Sequence, residues 1–221
     1  MNGTGMPYVF PRELTDIPAE VRAAPAPVLP SFPEPFSIRL ADPDGTDPET
    51  LEAWMRLPHL IETWEQSWPA SRRRADMRAQ LAGTYTRPCI LGFDFADIDR
   101  PELGRREVGY VELYRAAKDE IARLYHAHPR DIGFHIATAD LNVVGRGVMS
   151  RWIGHLATGI WAAEPECRRL MGDPDYRNVP VRKALEKNGW QHLGDFDVRP
   201  GRRISLYTLP REPDHLPTIR S

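Results

Sequence analysis

Three places in the chain carry residue types that can do chemistry together. His135 lies in the stretch 131–137 between Phe134 and Ile136. Alternation along a strand would set Gly133, His135 and Ala137 on one face, where two small neighbours leave room for a ligand. A histidine titrates near neutrality and can take a proton from an attacking ammonium. The competing reading is a buried, hydrogen-bonded core histidine. Asp173 ends a short apolar run, 168–173, just before a helical segment. There it can bind a cationic amine or orient a neighbouring base, or it can serve as a helix cap or turn aspartate, a role that suits Asp175 better. Between them lies a loop, 142–149, with Gly145, Arg146 and Gly147 followed by Val148 and Met149. Glycines let backbone N–H groups approach a ligand, and the helix N-terminus that follows offers unpaired donors and a positive dipole end. The pair makes a pyrophosphate cradle of the kind coenzyme A needs. The same pattern also makes an ordinary tight turn, and it lacks the further glycines or Lys-Ser/Thr of dinucleotide and P-loop motifs.

The elements that must position these groups follow from periodicity. Residues 36–40 alternate as a strand. Asp47 and Pro48 open a helix that carries Leu51, Trp54 and Met55, with Asp47 expected as its N-cap, and 71–81 read as a second helix. Residues 89–95 and 107–114 read as paired strands joined by a polar link, and 131–137 as another strand. An amphipathic helix runs from the glycine loop to about Trp161. A helix over 178–188 ends at Gly189, suited to a left-handed C-terminal position, and 190–198 and 203–209 close as a hairpin around Pro200 and Gly201. The order β-α-α-β-β-β-α-β-α-β-β, with a central antiparallel meander, predicts an α+β fold with a mixed sheet and flanking helices.

Composition bounds the rest. The chain has 221 residues, a net charge of −2, 41% hydrophobic and 27% charged residues, the profile of a soluble globular protein with no general affinity for nucleic acid or acidic membranes. Eight of its 22 prolines fall in the first 35 residues, which read as an extended arm, disordered or packed on the domain, with one helical turn over 18–23. Residues 36–210 form the expected domain and 211–221 a frayed tail. No apolar run approaches a membrane span, no secretory leader is read, and the two cysteines, Cys89 and Cys167, form no disulfide framework, so a cytoplasmic location is expected. Neither cysteine has an activating motif, and there is no nucleophile elbow. His126 and His128 lack further ligands nearby, so no metal is expected. Arg72, Arg73 and Arg74 read as a solvated helix face. Trp54, Trp64 and Trp68 read as core or lid packing, with a substrate pocket as the alternative.

Several segments resemble the siderophore-biosynthesis branch of the GNAT acyltransferases, which holds mycobactin-type lysine N-acyltransferases and aerobactin-type N-hydroxylysine acetyltransferases. They are Ala53-Trp-Met-Arg-Leu-Pro-His59, Thr63-Trp-Glu-Gln-Ser-Trp-Pro-Ala-Ser71, Gly109-Tyr-Val-Glu-Leu-Tyr-Arg-Ala-Ala-Lys-Asp119, Gly133-Phe-His135 with Ala139-Asp140, and Asp173-Pro-Asp-Tyr-Arg-Asn178. They keep register from about residue 35 to 209, and the match is closest to the mycobactin type. The resemblance implies the GNAT fold and transfer of an acyl group from acyl-CoA or an acyl carrier protein to the side-chain amine of lysine or N6-hydroxylysine. It puts the family's active-site histidine on His135, its acidic residue on Asp173 and its pyrophosphate loop on Gly145, Arg146, Gly147, Val148 and Met149. Asn178 is taken with them as a donor-side residue, and the backbone of Ile136 and Thr138 as the group that polarises the thioester carbonyl. Two positions depart from the family motif: Asn142 replaces its leading Gln/Arg, and Met149 a later small residue. Backbone donors keep the cradle, while Met149 reshapes the channel. The rival readings are an aminoglycoside-type N-acetyltransferase and a GNAT module that binds acyl-CoA or a carrier without catalysis.

Overall fold

A computed structural model describes residue 8, residues 10–64 and residues 66–220; the rest of the arm, residues 1–7 and 9, lies outside the described residues. Seven strands form one sheet in the order β1-β2-β3-β4-β5-β7-β6. They are β1 (Phe36–Leu40), β2 (Thr86–Asp94), β3 (Arg105–Arg115), β4 (Ile132–Thr138), β5 (Arg169–Gly172), β6 (Gln191–Arg199) and β7 (Arg202–Pro210). Every neighbouring pair is antiparallel except β4 and β5. That parallel pair covers only Ile132–Leu170, Gly133–Met171 and Phe134–Gly172, whereas β4 stays paired to β3 as far as Thr138. The second half of β4 therefore has one free edge, and a wedge opens beside it.

Two helical layers cover the faces. On one lie α5 (Val148–Ala163) and α6 (Val179–Lys187). Val148, Trp152, Ile153, Leu156, Ala157 and Ile160 of α5 recur at helical spacing and pack with Phe93, Leu113, Phe134 and Leu170 of the sheet. The opposite face carries Ile90, Tyr110 and Ala137 against α2 (Asp47–Trp54) and α4 (Ala70–Ala82) through Leu51, Met55 and Met77. A short α3 (Pro58–Trp64), which the periodicity did not announce, adds Leu60 to this layer. Thr46, not Asp47, stands at the N-cap of α2. The Asp47 carboxylate instead takes Arg39 at 2.6 and 2.8 Å and the Asp42 N–H at 2.7 Å.

β2 begins three residues earlier than Cys89, and it contains Pro88. Its carbonyl accepts from the Ala41 N–H just past the end of β1, so the position lacking an N–H faces the point where pairing with β1 stops.

The proline-rich arm is packed on the domain. Lys118 Nζ reaches the Ala24 carbonyl at 2.7 Å, Arg115 the Pro25 and Ala26 carbonyls at 2.6 and 3.1 Å, and Glu164 accepts from the Val28 N–H at 2.7 Å. Residues 19–23 form a single turn, α1 (Ala19–Ala23). Gly159 is required where the arm crosses α5, since a Cβ there would lie 2.8 Å from the Ser31 carbonyl oxygen. The far end is also held rather than frayed: His126 N–H donates to Thr218 and Arg220 N–H to Leu124. Among the described residues no helix is long and apolar enough to cross a membrane.

Candidate active site

His135 and Asp173 meet. β4 carries His135 onto the face away from α5, and Asp173 follows the last residue of β5, the neighbouring strand. His135 Nε2 lies 2.9 Å from Asp173 Oδ1. Tyr114 donates to the same oxygen at 2.6 Å and stacks on the imidazole with ring centres 4.5 Å apart and planes 10° from parallel. Gly133 makes that stack possible. It pairs with Tyr114 in the ladder, and a Cβ on it would stand 2.0 Å from the phenol ring.

The site also contains charged groups that the sequence reading did not single out. Glu112 is the ladder partner of His135 and stands 3.6 Å from Nδ1, with its other oxygen taken by Gln80 and Tyr110, both at 3.0 Å. Asp119 is fully buried and takes the Tyr85 hydroxyl. Arg12, from the arm, places Nη1 2.6 Å from His135 Nε2 and Nη2 2.8 Å from Nδ1. It lies 3.4 Å from Glu112, 3.8 Å from Asp173 and 4.0 Å from Asp119. One signal for Glu112 was in the sequence: a carboxylate inside the otherwise apolar run of β3. Arg12 had no local signal.

Burial raises every carboxylate here, and partners decide the outcome. Glu112 is nevertheless held down to about 2 by His135, Arg12 and Gln80. Asp173 is likewise held below the usual carboxylate range by His135 first and then Arg12 and Tyr114. Asp119, where burial outweighs Arg12, is pushed up to about 6. Burial and Arg12 both push His135 down, but Asp173 and Glu112 prevail and hold it above its ordinary value.

A cavity of about 960 Å³ runs from this cluster through the wedge to the glycine loop, bounded by Ile136, Thr138, Gly145, Gly147, Met149 and Asn178 among others. The Ile136 carbonyl accepts from the Trp64 indole at 3.3 Å and the Thr138 carbonyl from His59 at 2.9 Å. In a strand the N–H of a residue points the same way as its carbonyl, so the Ile136 and Thr138 N–H groups also face the wedge. Gly145 and Gly147 have φ of 74° and 75°, and a Cβ on either would meet nothing within 4 Å. The first α-helical bond of α5 reaches back from Arg151 N–H to Gly147, which leaves the Val148, Met149 and Ser150 N–H groups as the open donors of its N-terminus. The Val148 side chain is turned into the core and Arg146 is exposed beside the loop. Asn178 caps α6 by accepting from the Val181 N–H at 3.4 Å. Asp175 makes the expected turn, accepting from the Arg177 N–H at 2.9 Å.

The other polar groups separate cleanly. Trp64 and Trp68 border the cavity, while Trp54 packs on the α2–α4 core. Arg72 stacks on Trp68 at 3.8 Å, and Arg73 is buried with its Nη1 on Gln66, so this helix face is only partly solvated. Cys89 and Cys167 are buried and their thiols pushed up to about 12 by that burial, which removes them as nucleophiles at neutral pH.

The family model of the acetyltransferase (GNAT) domain matches residues 44–198. This chain belongs to the GNAT family. Its relatives include the lysine N-acyltransferase MbtK of Mycobacterium sp. (strain MCS), 47% identical over 95% of this chain and 81% of that one. MbtK of Mycobacterium tuberculosis (strain H37Rv) is 42% identical over 90% and 88%, and an Escherichia coli N(6)-hydroxylysine O-acetyltransferase 30% identical over 80% and 52%. Among solved structures, an uncharacterized Bacillus halodurans protein superposes with a TM-score of 0.68 at 20% identity, covering 80% of this chain and 84% of that one. The aminoglycoside acetyltransferase AAC(6')-Ib in complex with coenzyme A gives 0.65 at 19%, covering 80% and 95%. These two show the fold. The split between β4 and β5, the glycine loop and the histidine–carboxylate cluster all border one continuous cavity.

Proposed function

We propose that this chain transfers an acyl group from acyl-CoA, or from an acyl carrier protein, to the side-chain amine of lysine or N6-hydroxylysine in hydroxamate siderophore assembly. The observation that carries the reading is the 42–47% identity, over nine-tenths of the chain or more, to enzymes named lysine N-acyltransferase.

In this reading the donor's pyrophosphate rests on the Gly145–Gly147 loop and the open N–H groups at the start of α5. The thioester lies in the wedge, where the Ile136 and Thr138 N–H groups polarise its carbonyl and take up the negative charge that develops on oxygen. The acceptor approaches from the carboxylate-rich side. A lysine ammonium has a pKa near ~10.4 and no lone pair, so it must lose a proton before attack. His135 takes that proton, directly or through water. Asp173 beside Nε2 favours a proton on that nitrogen and leaves Nδ1 as the accepting side. The new C–N bond forms and the C–S bond breaks; the second proton lost by the nitrogen goes to the departing sulfur, which leaves as the free thiol, and His135 returns the first to solvent. Asn178 contributes from the donor side by fixing the first turn of α6 at the channel wall. A hydroxylamine acceptor is far less basic and asks less of His135.

The test is free-thiol release with acyl-CoAs of graded chain length and with acyl carrier protein donors, using lysine, N6-hydroxylysine, N-hydroxyornithine, N-hydroxycadaverine and kanamycin as acceptors. Turnover on a lysine-type acceptor upholds the reading, and chain-length preference names the donor. Turnover on kanamycin alone would transfer the chain to the aminoglycoside-modifying class, and tight coenzyme A binding without turnover would make it a binding module.

A further inference from the structure

Arg12 is built into the acceptor side. Its carbonyl accepts from the Glu120 N–H at 2.9 Å, and the next residue but one, Leu14, donates to the Lys118 carbonyl at 2.8 Å. Phe10 packs against Tyr85 in the core beneath. The segment is thus a wall of the pocket. Yet its guanidinium does not take the short two-point carboxylate contact that Arg39 makes with Asp47 at 2.6 and 2.8 Å. Three carboxylates stand 3.4–4.0 Å away, and the nearest contacts are to the two nitrogens of His135.

We propose that Arg12 is a positioning residue that offsets part of the carboxylate charge around His135, so that the ring gives up its proton more readily and an imidazole is more available to the acceptor amine. The proposal rests on the reading that His135 is the base. The groups facing His135 are Glu112 and Tyr114 from β3, Asp173 after β5, Asp119 from the segment that follows β3, and Arg12 from the arm. Left to the carboxylates alone, the ring would hold its proton to still higher pH. A guanidinium cannot give up its proton, so at contact distance its charge disfavours the imidazolium and works against the carboxylates. The guanidinium lies against both ring nitrogens, 2.6 Å from Nε2 and 2.8 Å from Nδ1, so its positive charge opposes a proton on either one. When the acceptor amine takes its place at Nδ1, the guanidinium can turn toward Glu112 and Asp119 and tighten those ion pairs, so it need not leave the pocket.

The experiment is an NMR pH titration of the His135 imidazole in the full chain and in Arg12→Gln, Arg12→Met and Arg12→Lys, alongside kcat/KM against pH with lysine and N6-hydroxylysine. Two charge-free variants guard against one failing to fold, and thermal melting checks each. The His135 midpoint is expected to rise by about one pH unit when the charge is removed and to return with Lys. The rising limb of kcat/KM should follow it, a loss of about tenfold at pH 7 that alkaline buffer restores. An unmoved His135 midpoint in a chain that still acylates lysine overturns the role of Arg12 and leaves the acyl-transfer reading intact. So does a rise in KM with no shift of the pH limb. A shifted midpoint in a chain that turns over no lysine-type acceptor upholds the charge coupling and overturns the acyl-transfer reading instead.

Discussion

The two halves of the cavity are made of different materials. The half assigned to the donor in the proposed function is backbone: the positive-φ glycines at 145 and 147, the open N–H groups that begin α5, and the free edge of β4 beyond Phe134. It comes from two short stretches of chain. The half assigned to the acceptor is side chains. Arg12, Glu112, Tyr114, Asp119, His135 and Asp173 arrive from the arm, β3, the segment after β3, β4 and the end of β5, and they are charged or hydrogen-bonded to one another. A backbone cradle presents the same donors whatever side chains surround it. A buried charge cluster fails as a unit, because removing one partner leaves another uncompensated. The acceptor half should therefore be the more fragile of the two.

The largest effect is expected at its centre. With His135 as the proposed base, His135→Ala should lower kcat with lysine by about 10²–10⁴ in steady-state assays. The loss should be smaller with N6-hydroxylysine; an equal loss on both acceptors would take the base role from His135.

Asp173→Asn comes next. Asp173 favours the charged imidazole, so His135 without it should titrate lower. The rising limb of kcat/KM should move to more acidic pH, opposite in sign to the shift expected on removing Arg12. Activity should fall by about 10–10² at pH 8 as the ring loses its orientation. The same carboxylate contributes stability that is full above the ordinary carboxylate range and is lost as pH falls through its depressed folded value. The wild type should therefore lose its melting-temperature advantage over Asp173→Asn on acidification below about pH 4, which is checked by thermal melts at graded pH.

How much of this was legible follows the same divide. The donor loop is a local pattern, two glycines ahead of an amphipathic helix, and local patterns survive in sequence. His135 and Asp173 were legible because strand ends converge in a mixed sheet, because the small neighbours Gly133 and Ala137 leave room beside the histidine, and because the family resemblance falls on both. Glu112 needed the β3–β4 register, which pairs it with His135 and which periodicity alone does not supply. Arg12 needed tertiary packing: nothing in a proline-rich arm says that residues 10–14 dock against residues 118–120. The helix α3 (Pro58–Trp64) escaped for a simpler reason, since seven residues hold too few turns to display a period. Arg73 read as one of three solvated arginines, yet it lies buried beneath Trp68.

The same small substitution in the two halves sharpens the contrast. Gly133→Ala puts a Cβ 2.0 Å from Tyr114 Cζ, so the phenol must leave the imidazole stack and the Asp173 oxygen it donates to. Overpacking of this kind costs about 1–3 kcal/mol. A lower melting temperature and a fall in kcat should come together.

Gly147→Ala should do less, and differently. No atom lies within 4 Å of the new Cβ, so there is no clash to relieve. The backbone there has φ of 75°, where an L-residue carries strain of about 1–2 kcal/mol. The loop can shed that strain by relaxing toward negative φ, which turns its N–H groups away from the channel. KM for the acyl-CoA should then rise up to about tenfold while kcat and the acceptor KM stay near wild type, because His135, Asp173 and Glu112 are on the other side of the wedge. A parallel fall in kcat would mean that the two halves are mechanically coupled through α5, and the division between a tolerant backbone half and a fragile charged half would not stand.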